Sequence, residues 1–89
     1  MKTKTENLIE LKEVRVESKQ LIVYNDDFNT FDFVIDSLIK VCKHEKIQAE
    51  QCTFIIHYKG KCIVKKGPYR ELEPLCTALL ERGLTAEII

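Results

Sequence analysis

From Leu21 the chain runs apolar without a break, Leu21-Ile22-Val23-Tyr24, and then stops at three turn formers, Asn25-Asp26-Asp27. A short β-branched run ended by Asx residues predicts a buried strand feeding a turn. The period then changes. Phe31, Val34, Ile35, Leu38, Ile39 and Cys42 recur at i, i+3, i+4, i+7, i+8 and i+11, the stripe of an amphipathic helix. Asn29 or Thr30 suits its N-cap, and Asp32 its first turn. The polar break Lys43-His44-Glu45-Lys46 separates this helix from a second helical run, about Ile47 to His57, with Gly60 as its stop. Lys61 to Lys66, around Cys62-Ile63-Val64, predicts a second strand, and Gly67-Pro68 the turn after it. Leu72, Leu75, Cys76 and Leu79 share one face of a third helix. Pro74 fits a helix only in the first turn, so this one is expected to start near Arg70 and to end at Gly83. Thr85 to Ile89 forms the last strand. The predicted fold is α/β (α+β), a small three-stranded sheet packed on one face by three helices in the order β-α-α-β-α-β. Residues 1–18 form a short N-terminal arm before a domain spanning residues 19–89. Within the arm, Leu11 to Val16 alternates weakly, as an edge strand or a flexible segment would.

Composition narrows the classes. Eighty-nine residues make one small core and no second folded unit. Fourteen basic and fourteen acidic residues cancel, so no excess charge points to nucleic acid or to an acidic membrane. No apolar run approaches the roughly 18 residues of a membrane span, and Met1 to Glu6 lacks a signal peptide's apolar core. A cytoplasmic location is expected. The four cysteines, Cys42, Cys52, Cys62 and Cys76, form no C-x-x-C pair and sit in apolar company, so they read as small core hydrophobes in a reducing compartment, not as zinc ligands.

Catalysis finds little material. Ser18 and Ser37 lack a G-x-S-x-G setting, and three glycines cannot build a phosphate-cradling loop. Asp26 and Asp27 are adjacent, so their side chains diverge as turn residues do. No enzyme, metal or cofactor is expected. Three features fit either binding or plain structure: the polar turn Asn25-Asp26-Asp27, which is also an ordinary solvated turn; His57 at the end of an apolar run, where a histidine also suits the helix dipole or a backbone carbonyl; and Phe31 at the start of the first helix, which is also simple core. Phe31 and Val34 are i, i+3 on that helix, and Thr53, Ile56 and His57 are i, i+3, i+4 on the second, so each helix offers one patch.

Residues 20 to 83 resemble the ClpS family of protease adaptors. Leu21-Ile22-Val23-Tyr24-Asn25-Asp26-Asp27-Phe28 with Phe33-Val34 resembles that family's strand, Asn-Asp-Asp-aromatic turn and helix. His57-Tyr58-Lys59-Gly60 resembles its His-x-x-Gly, and Gly67-Pro68-Tyr69 with Glu71 its step into the last helix. The resemblance implies a non-enzymatic, monomeric adaptor. Such an adaptor binds proteins whose free N-terminal residue is large and hydrophobic and delivers them to a Clp unfoldase of the ClpA or ClpC type. It implies that Asn25, Asp26 and His57 hold the substrate's α-amino group. By the same resemblance Asp27, Asn29, Phe31, Val34, Thr53 and Ile56 would line the side-chain pocket, and Glu71 would dock on the unfoldase.

Those roles are chemically coherent. An α-ammonium has three donors and, with a pKa of about 7.7–8, is mostly charged in the cell. Asn25 offers an amide oxygen, Asp26 a carboxylate and neutral His57 a ring nitrogen. Charged hydrogen bonds contribute about 1.5–3 kcal/mol each and a buried Leu or Phe about 1.5–3. After association costs of at least ~4 kcal/mol, micromolar affinity is expected. Phe31 and Thr53 depart from the methionines frequent in the family, so the ranking among first residues is expected to shift. The family fold also resembles the C-terminal domain of the ribosomal stalk protein, which makes an assembly module the alternative. The amine-binding residues argue against it.

Overall fold

The computed structural model describes residues 17–89. The Leu11 to Val16 strand expectation lies outside them. Three strands and three helices follow in the predicted order. Strands β1 (Lys19–Tyr24), β2 (Lys61–Gly67) and β3 (Thr85–Ile88) form one antiparallel sheet in the order β2-β1-β3. Helices α1 (Phe31–Cys42), α2 (Lys46–Lys59) and α3 (Tyr69–Glu81) supply the rest of the core.

β1 is central, which is why its apolar run is unbroken: Leu21, Ile22 and Val23 are all buried. β2 is an edge and buries only Val64, while Lys61, Lys65 and Lys66 stay exposed and discourage further strand pairing. The pairing slips between Leu21↔Lys65 and Ile22↔Ile63, so Val64 has no partner on β1 and forms a bulge. Its carbonyl is not left bare. His44, 5% exposed, donates its Nε2 hydrogen to the Val64 oxygen at 2.7 Å. The partner is a carbonyl, which fixes the proton on Nε2; the buried Nδ1 has no hydrogen-bond partner. A residue expected only in a polar break is thus a core polar group satisfying a bulge.

Thr30, not Asn29, caps α1, accepting the Phe33 N–H at 3.1 Å. Lys43 closes that helix at φ 62°, a left-handed position without glycine. α2 ends at Gly60 with φ 95°. α3 starts at Tyr69, which corrects the expectation for Pro74: this residue is sixth in the helix, beyond the first turn. It is exposed, so water can serve the carbonyl it leaves unbonded. The end of α3 is clamped to α1. Arg82 donates from Nε to Ser37 Oγ and from Nη2 to Asp36, both at 2.8 Å, with its guanidinium 4.9 Å above the Phe33 ring.

The thiols divide. Cys42 and Cys76 are buried, as a core role requires, but Cys52 and Cys62 are only half-buried. Burial pushes the Cys42 thiol up to about 11 and, with Cys52 alongside, the Cys62 thiol up to about 12, so both are protonated at neutral pH. Among the described residues no helix is long and apolar enough to cross a membrane.

Candidate functional site

The turn after β1 is built around one carboxylate. Asp26 Oδ1 accepts the backbone N–H groups of Phe28 and Asn29, and Oδ2 accepts the Asn29 side-chain amide, all at 2.8 Å. Partial burial pushes the Asp26 carboxyl up, but the hydrogen bonds from Asn29 and Phe28 outweigh this and hold it below the usual carboxylate range. Asp26 is therefore ionised at neutral pH. Three donors on a group with about four acceptor positions leave room for one more. The Asn29 amide also donates to the Gly83 carbonyl at 2.9 Å, bracing the turn against the α3–β3 connection.

The other half of the site arrives on α2. The Asn25 N–H donates to the Gly60 carbonyl at 2.8 Å, joining the end of β1 to the end of α2. Three residues before Gly60, His57 is exposed and meets the Phe31 ring edge-on, centroids 6.3 Å apart at 83°. Phe31 itself is 41% exposed at the first position of α1.

These elements enclose a cavity of about 290 Å³. The structure brings nine of the ten sequence-predicted residues to its lining: Asn25, Asp26, Asp27, Asn29, Phe31, Val34, Thr53, Ile56 and His57. Burial sorts them. Val34, Thr53 and Ile56 are buried, whereas Asn25, Asp27, Phe31 and His57 are exposed. The Thr53 hydroxyl donates to the Ala49 carbonyl at 2.7 Å, so this buried side of the cavity presents no free donor. Acceptors at the exposed side and an apolar interior suit a cationic group attached to one large apolar side chain. At the small end of ligand-pocket sizes, roughly 300–1,000 Å³, the space suits one residue.

Glu71 lies elsewhere. It is exposed in the first turn of α3, which follows Gly67, and Gly67 pairs with Lys19 at the end of β1 opposite Asn25. Two contributors escaped the sequence reading: Gly83, through its carbonyl, and Asn29 as a brace. The three-residue step from Asp26 to Asn29 carries an Asx-turn signal, but nothing local marks Gly83 as its second partner. Among the described residues no cluster of three or more His, Cys, Asp or Glu side chains is placed to hold a metal ion.

Comparison with known proteins agrees with this architecture. Residues 15–87 match the family model for the ATP-dependent Clp protease adaptor protein ClpS. The ClpS adapter of Thermosynechococcus vestitus is 40% identical over 67 residues, covering 74% of this chain and 71% of that protein. That of Shewanella halifaxensis is 37% identical over 73 residues, covering 75% and 72%. The structure of Agrobacterium tumefaciens ClpS2 bound to L-phenylalaninamide superposes with a TM-score of 0.78 at 20% identity, covering 84% of this chain and 98% of that one. The fold, the ordered motifs and the match across most of the chain place this protein in the ClpS family of ATP-dependent Clp protease adaptors.

Proposed function

We propose that the 290 Å³ cavity receives the first residue of proteins with a free, large hydrophobic N-terminus. The α-ammonium lies against Asn25, Asp26 and His57; the side chain lies against Val34, Thr53 and Ile56, with Asp27, Asn29 and Phe31 around it. The observation that carries this reading is Asp26: a carboxylate held ionised by three donors, lining the same cavity as a buried apolar surface. L-phenylalaninamide, bound by Agrobacterium tumefaciens ClpS2, is a free α-amine bearing one aromatic side chain and supports the same pairing. The protein acts as a cytoplasmic monomer without catalysis of its own and presents its cargo to an unfoldase of the ClpA or ClpC type. Glu71, exposed and away from the cavity, serves that docking. The family match leaves the assembly-module alternative unsupported.

Calorimetric titration of a Phe-first peptide with a free and with an acetylated N-terminus tests this. Acetylation removes the charge. Losing even one charged hydrogen bond, about 1.5–3 kcal/mol, should weaken binding at least about tenfold. Equal affinities would overturn the reading.

A further inference from the structure

α2 carries its large apolar side chains on the outside. It buries Ala49, Thr53 and Ile56, while Ile47, Phe54, Ile55 and Tyr58 are exposed, Phe54 to 54% and Tyr58 to 69%. Stability alone would turn the larger side chains inward. The Phe54 and Tyr58 rings already lie 4.4 Å apart. Between this face and α1 lies an open groove of about 650 Å³, larger than the 290 Å³ cavity, with Phe31, Ile35, Phe54 and Ile55 as walls and Asp32 and Glu50 among its lining residues. Phe31 borders both spaces. One ring is the partition.

We propose that this groove is a second subsite for the same polypeptide, taking a long apolar or basic side chain from residue 2 or 3 of the cargo and disfavouring an acidic one. The proposal rests on residue 1 occupying the smaller cavity. Three observations select this occupant. The shared Phe31 sets the groove directly beside the cavity. An extended chain advances about 3.3–3.6 Å per residue, and the four residues from Phe31 to Ile35 rise about 6 Å, so two residues leaving the cavity span the wall. Finally, Asp32 and Glu50 have no ion-pair partner among the described residues, and they complement an aliphatic stem ending in a cation.

Fluorescence anisotropy with free Phe-first peptides sharing one tail, with Gly, Leu, Arg or Glu at position 2 or 3, tests the subsite on wild type, Phe54→Ser and Glu50→Gln. On wild type, Leu or Arg should bind about fivefold tighter than Gly, the ratio for burying roughly half a Leu side chain, and Glu should bind more weakly than Gly. Phe54→Ser should bring the Leu-to-Gly ratio towards one, and Glu50→Gln should narrow the gap between Arg and Glu. Because both residues lie on the helix surface, ratios within one variant also cancel any general effect on binding. A wild-type ratio of one, or a ratio that Phe54→Ser leaves alone, overturns the subsite. Sedimentation showing a dimer that Phe54→Ser dissolves, with the ratio unchanged, assigns the face to self-association and overturns it too. If no free Phe-first peptide binds, the smaller cavity's role fails and this proposal falls with it; that result is distinguishable because the other failures retain binding.

Discussion

Replacing Asn29 with Asp changes almost no shape and reverses two interactions. The amide donates to Asp26 Oδ2 at 2.8 Å and to the Gly83 carbonyl at 2.9 Å, so Asn29→Asp loses both bonds and sets a second carboxylate against the first. A charge-assisted bond contributes about 1.5–3 kcal/mol and a neutral one about 0.5–1.5, but Asn29 is half-buried and water replaces part of both, leaving about 1–2 kcal/mol. Two like charges about 4 Å apart repel by about 1 kcal/mol in water and about 4 at an effective dielectric of 20. Rotation of the new side chain into solvent keeps the repulsion near the lower figure. The expected destabilisation at pH 7 is therefore about 2–3 kcal/mol, a large part of the roughly 5–15 kcal/mol stability of a small domain. Asn29→Ala, which removes the bonds without adding charge, should cost about 1–2 kcal/mol. Urea denaturation at pH 7 and near pH 4 separates the contributions. In the wild type the folded Asp26 carboxyl is held below its ordinary value, so its stabilising contribution is present above the ordinary carboxylate range and is lost as pH falls through the folded value. In Asn29→Asp the neighbouring charge favours protonation instead. The gap from wild type should shrink on acidification, and by more than the Asn29→Ala gap. Equal costs for Asp and Ala at pH 7, or a gap that acid leaves unchanged, would refute the reasoning.

Other perturbations probe the remaining parts. Removing the His57 ring takes one acceptor away from the ammonium, so His57→Ala should bind a Leu-first peptide several-fold more weakly than wild type at pH 7. Wild-type affinity in that variant would remove His57 from the site. Phe31→Met replaces a flat rigid wall with a flexible one and should change the ranking of Leu, Phe, Tyr and Trp as first residues in calorimetry; an unchanged ranking sinks that role. Arg82→Lys keeps charge but loses the forked contact with Ser37 and Asp36 and the stacking over Phe33. It should lower stability by about 1–2 kcal/mol in urea melts, the pair being part-exposed, and a value below about 0.5 contradicts the clamp.

What the sequence made legible was local. The stripe from Phe31 to Cys42 and the unbroken β1 run needed only periodicity, and the nine cavity residues came from the family resemblance, whose motifs each sit within a few positions. The expectations that slipped depend on distant partners or on solvent. His44 is buried because a bulge twenty residues later frees the Val64 carbonyl. Asn29 is a brace because Gly83, fifty-four residues away, returns beside it. Pro74 was expected in the first turn, yet its exposed position lets it sit sixth in α3. The outer face of α2 hides for another reason: apolar residues on both sides of a helix cancel in the pattern, and only the fold tells which side is covered.

β1 is hydrogen-bonded on both flanks, and its three central side chains are buried. The segment 28–31 contributes nothing to that pairing; it hangs from the strand by the Asp26 knot and the Asn25–Gly60 bond. The sheet and the rim of the cavity are therefore separate inheritances. Under the proposed function, changes at Phe31, which lines the cavity but lies outside the sheet, redraw what is recognised while the strand pairing stays intact, so a lineage can explore new cargo preferences without first surviving a loss of fold.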